Sequence, residues 1–92
     1  MLNQVKLALR ISTDAFDAEI NSLISAAISE MYALGVTAAT LDTTDAQIIS
    51  AVIAYCKWLF GENDEADRWR DVYHIKLGQL KAMSGYTDWG DE

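Results

Sequence analysis

The stretch "DAQIISAVIAYCKWLF", residues 45–60, limits the fold more than any other part of the chain. Wound as a helix it is apolar almost all round. Ile48, Ile49, Val52, Cys56, Leu59 and Phe60 define its inner side, and only Gln47, Ser50 and Lys57 mark a narrow wet edge. Such a helix is stable in water only when neighbours cover it from more than one direction. The rest of a 92-residue chain must supply that cover, and the length suits a single domain. The absence of proline suits further helices.

The flanking segments read as helices. A short one, about 2–10, places Leu2, Val5 and Leu9 on one side. "STD" at 12–14 offers N-cap side chains, and Asp17 and Glu19 suit the positive end of the following helix dipole. In that helix, about 15–34, Phe16, Ile20, Leu23, Ile24, Ala27, Ile28, Met31 and Leu34 recur at helical spacing, and Gly35 ends it. "GVTAATLDTT" at 35–44 is a loop, and Thr44 with Gln47 reads as a capping box for the all-round apolar helix. Gly61 stops that helix. "ENDEAD" at 62–67 caps a fourth, about 64–83, with Ala66, Trp69, Tyr73, Leu77, Leu80 and Met83 inward. The expectation is an all-α fold: a small bundle of three main helices (15–34, 45–60, 64–83) behind a short N-terminal one. Residues 1–85 form its single domain, and 86–92 form an extended acidic and aromatic tail.

Fourteen acids against seven bases give a formal net charge of −7. That sign disfavours a grip on nucleic acid, which depends on Lys and Arg displacing counterions, and docking on an anionic membrane. No apolar run approaches the ~20 residues of a membrane span, and "MLNQVKLALR" lacks the pattern of a signal peptide. Cys56 is the sole cysteine, so no internal disulfide staples the fold and a reducing compartment is the natural setting.

Catalytic constellations are missing from the pattern. His74 is the only histidine and reads as a surface residue one turn from Asp71, with no nucleophile in context. Cys56 reads as an ordinary buried thiol. One Cys and one His do not make a standard zinc site, and "ENDEAD" lacks the ligand spacing and central glycine of an EF-hand loop. Neither GxGxxG nor GxxxxGK[ST] occurs. The expectation is a non-enzyme with no cofactor and no metal.

What remains is surface. The outer face of the 15–34 helix carries Ser22, Ser25, Ala26, Ser29 and Ala33, and positions 22, 26, 29 and 33 follow one helical course. Small side chains there allow a neighbouring element to approach closely, although serine and alanine are also tolerated on any wet face. In the third helix Trp58 falls away from the Val52–Cys56–Leu59 stripe, beside Ala51 and Ala54, with Tyr55 on its shoulder. In the fourth, Ile75 and Ala82 leave the core line and Gly78 takes the outer face. Tyr86 and Trp89 stand in the polar tail, where aromatic rings are useful only if they dock. These residues are the candidate contact set.

The segments "VKLALRISTDAFDAEINSLISAAISEMYALGV", "TDAQIISAVIAYCKWLFGENDEADRW" and "YHIKLGQLKAMSGY" together resemble the phage head–tail connector family. These are the small helical adaptor or head-completion proteins of long-tailed phages and prophages. The resemblance rests on a leading helix ending in Leu9-Arg10-Ile11, then Asp17, Ile20, Ile24 and Ala26-Ala27. It continues through Ala54-Tyr55 and Phe60-Gly61 to the Leu77–Leu80–Ser84 end. It implies a virion protein, assembled in the host cytoplasm, whose copies form a ring, a dodecamer, beneath the portal protein. Such a ring extends the DNA channel and offers a platform to the next head-completion or tail protein. It also implies that the tail reaches the portal, with Tyr86 and Trp89 as anchors. An acidic channel would let DNA pass without binding it specifically. The competing reading is a small cytosolic regulatory module that binds one partner helix in a groove.

Overall fold

In the computed structural model the described residues are 1–36, 44–60 and 64–82. They form four helices and no strand: α1 Leu2–Leu9, α2 Asp17–Ala33, α3 Ala46–Leu59 and α4 Ala66–Ala82. The expected stop at Gly61, the inward Met83, most of the 35–44 loop and the tail with Tyr86 and Trp89 lie outside the described residues.

Helix α3 is the axis of the domain, and α1, α2 and α4 all pack against it. Ile48, Ala51, Val52, Ala54, Tyr55 and Cys56 are buried on it, so it is covered around most of its circumference. Val5 of α1, Ile20, Ile24, Ala27 and Met31 of α2, and Tyr73, Leu77 and Leu80 of α4 close over it. Three residues expected inside depart from this. Phe16, Leu34 and Leu59, each at a helix end, remain 44%, 41% and 41% exposed. Phe16 instead sets its ring edge-on to Phe60, 5.6 Å between centroids, latching the entry of α2 to the exit of α3.

The helix ends show how local chemistry fixes the layout. Asp45 caps α3. Its extended backbone (φ −66°, ψ 126°) brings Oδ1 under the first turn, where it accepts from the Gln47 N–H at 2.8 Å and the Ile48 N–H at 3.3 Å. The capping box expected from Thr44 is thereby displaced by one residue. A carboxylate at this position has the further advantage of facing the positive end of the helix dipole. At the far end of α2, Gly35 adopts φ 104° and Val36 N–H returns to Met31 C=O at 2.8 Å, the left-handed stop that the glycine announces.

The α1–α2 corner is built differently from expectation. None of Ser12, Thr13 or Asp14 caps α2 with its side chain; Phe16 holds the cap position without a side-chain bond. Asp14 and Asp17 instead take the Lys6 ammonium, at 3.0 and 2.9 Å. Hydrogen bonding to Asp17, then to Asp14, raises the Lys6 pKa above its ordinary value. The corner therefore joins the last turn of α1 to the first turn of α2. Its pivot is Arg10, a non-glycine residue at φ 61°, ψ 42°, with Arg10 N–H bonded to Leu7 C=O and Ile11 N–H to Lys6 C=O. L-residues occupy this left-handed conformation at a cost of ~1–2 kcal/mol.

Two substitutions follow with opposite signs. Asp45→Ala removes the α3 cap and should lower unfolding free energy by about 1 kcal/mol. Arg10→Gly relieves the left-handed backbone and should raise it by about 0.5–1 kcal/mol, after allowing for the looser unfolded chain. Urea titration of each full-length variant beside the parent checks both. A neutral Asp45→Ala, or a destabilising Arg10→Gly, contradicts these assignments.

Candidate assembly surface

Helix α2 turns Ser22, Ser25, Ala26, Ser29 and Ala33 to solvent, as their spacing predicts, and Tyr32 joins them at 53% exposure. The Ser22 hydroxyl folds back onto the Ala18 carbonyl at 3.0 Å, which flattens the strip further. On helical spacing Glu19 and Glu30 border one edge of this strip, and the helix carries no basic residue.

Helix α4 presents a second uncharged course. Ile75 is 62% exposed, Ala82 is exposed, and Gly78 lies between them on the surface. A Cβ built on Gly78 would meet nothing within 4 Å. The subunit itself therefore supplies no packing reason for a glycine in mid-helix, where it costs ~1 kcal/mol relative to alanine.

Two members of the sequence-derived contact set are placed differently. Tyr55, read as lying on the shoulder of its helix, is only 8% exposed and sets its ring edge-on to Tyr73, 5.2 Å between centroids. Trp58, read as falling away from the core, is half-buried, with its centroid 5.7 Å from Tyr55 and 5.8 Å from His74. The reason is α4, which covers the Ala51–Ala54 flank of α3 that the apolar stripe left open. Trp69 is likewise engaged within the chain, beneath the Lys57 ammonium at 4.2 Å. Leu7, 79% exposed on α1, lies off the Leu2–Val5–Leu9 side, and that spacing is the sequence signal for its exposure.

The polar groups inside are inert. Burial pushes the Cys56 thiol up to about 12, so it is held as the unreactive thiol. The Tyr73 hydroxyl is enclosed without a hydrogen-bond partner at contact distance; burial, and then the Glu30 carboxylate, drive its pKa upward. Among the described residues there is no pocket and no cluster of His, Cys, Asp or Glu able to hold a metal ion. No described helix is long and apolar enough to cross a membrane. What the geometry offers is two smooth helix faces, on α2 and on α4.

A family model described as phage connector protein matches residues 1–87. The chain belongs to that family. No curated protein and no solved structure shows significant similarity to it. The match spans all four helices of the connector, so membership belongs to the whole helical domain. The phage connector family is a structural, non-enzymatic family.

The open space around Gly78 gives a direct test. Gly78→Ala should stabilise the isolated connector subunit by about 1 kcal/mol, read as a higher urea midpoint at unchanged slope. A loss of stability would mean that the glycine serves the subunit's own fold.

Proposed function

We propose that this connector is a ring-forming adaptor of the virion, assembled in the host cytoplasm and seated beneath the portal. There it extends the DNA channel and carries the next head-completion or tail protein. One observation beyond family membership supports this most strongly: two exposed, uncharged helix faces lie on α2 and α4, helices that pack separately on α3. A ring subunit has two lateral neighbours, and two distinct smooth faces suit that need. The ring is a dodecamer in this reading.

The charge agrees with the role. A chain of net charge −7 lining a channel repels phosphate at short range, so DNA slides through without specific contacts. In the same reading residues 1–85 are the connector domain and 86–92 a tail that anchors on the portal through Tyr86 and Trp89. Ile75 and the α2 strip serve neighbouring subunits, whereas Trp58 is engaged within its own subunit.

Electron microscopy of the full-length chain in negative stain, with and without portal protein, tests the proposal. Annular particles of one diameter, alone or on the portal, are expected. A strict one-to-one complex with a soluble partner and no annular particle on the portal contradicts it.

A further inference from the structure

We propose that α1 is a strap that lifts from the domain on its own, pivoting at Arg10 and held shut by the Lys6 ammonium between Asp14 and Asp17. Its movement covers or uncovers the surfaces of α2 and α3 on which it packs, while the other three helices stay folded.

Little else holds α1 down. It has eight residues, fewer than a helix needs to persist alone in water. Its N-cap, Met1, makes no side-chain bond, and its first turn carries no acid. Val5 is its one buried residue, against four on α2, six on α3 and three on α4. Met1, Leu2, Leu9 and Ile11 are only partly covered, and Leu7 faces outward. An element with so few enclosed side chains opens at a lower free energy than the body it rests on.

The clamp differs in kind from the exposed pairs on α4. The Lys6 side chain is mostly covered, and its ammonium reaches Asp14 at 3.0 Å and Asp17 at 2.9 Å. Asp14 is almost wholly solvated, so water can replace Lys6 there. Asp17 is less open, and its Oδ1 is enclosed; Lys6 is that oxygen's one polar partner among the described residues. A carboxylate oxygen enclosed without its cation costs far more than the pair contributes. With the Lys6 charge removed, the low-energy response is for α1 to lift and let water reach Asp17. The pivot suits that motion. Arg10 turns the chain out of α1 at φ 61°, ψ 42°, a conformation that a non-glycine residue keeps only while its surroundings impose it. Lifting lets it relax.

Hydrogen–deuterium exchange of the full-length chain, read helix by helix, tests the strap. In the parent, amides of residues 5–11 should exchange faster than those of α2–α4, through an opening that added urea leaves nearly unchanged. Lys6→Gln should speed them by about tenfold or more while α2–α4 keep their rates. Adding Asp17→Asn to Lys6→Gln should slow them again, because two neutral amides can hydrogen-bond where an unpaired carboxylate cannot stay enclosed. If α1 in the parent opens only with the whole domain, the strap is overturned, even should Lys6→Gln fold too poorly to be read. It is equally overturned if Lys6→Gln speeds all four helices alike, or if the double variant is no slower than Lys6→Gln. Every rate is read on the isolated chain, so failure here leaves the ring reading in place.

Discussion

The domain depends on covering α3. A fourteen-residue helix with Ile48, Ala51, Val52, Ala54, Tyr55 and Cys56 all buried cannot be shielded by one partner, and three helices are drawn in to do it. That requirement uses up one face each of α1, α2 and α4. Their outer faces are consequently a single layer from solvent, and whatever they carry is on display. In a domain of this size most of the non-core surface belongs to the covering helices, so their composition sets how the molecule meets others.

Those outer faces are not built for the stability of a lone subunit. Gly78 weakens α4 where an alanine would fit, Ile75 and Leu7 expose branched side chains, and α2 shows serine and alanine where charged residues would keep a free helix soluble. Arg10 sits in a left-handed backbone that glycine would occupy without strain. The core, by contrast, is orderly: the described residues bury no charged side chain, and the aromatic rings of Tyr55, Trp58 and Tyr73 pack edge to face or tilted against one another. In the proposed ring, neighbouring copies would complete that surface.

Much of this was legible from residue spacing. The 3.6-residue period marked Ile20, Ile24, Ala27 and Met31 as the inner side of α2, and Gly35 as its end. The same period put Ser22, Ala26, Ser29 and Ala33 outside. Spacing failed where a decision belongs to tertiary overlap. Phe16, Leu34 and Leu59 have the right phase but stand at helix ends and stay exposed, while Tyr55 and Trp58 have the wrong phase and are packed against Tyr73 and His74 of α4. The displaced cap is a smaller example: Thr44 and Asp45 are both competent, and the backbone angle at Asp45 selects the carboxylate. Family membership, spread over apolar and small positions with no catalytic signature, likewise needed the match over residues 1–87 to be established.

The central claim is that the outer faces of α2 and α4 are contact surfaces. Electron cryomicroscopy of the connector assembled on its portal measures this directly. The prediction is that Ile75, Gly78 and the Ser22–Ala33 strip are enclosed between adjacent copies. An assembled particle in which both faces remain open to solvent would contradict it.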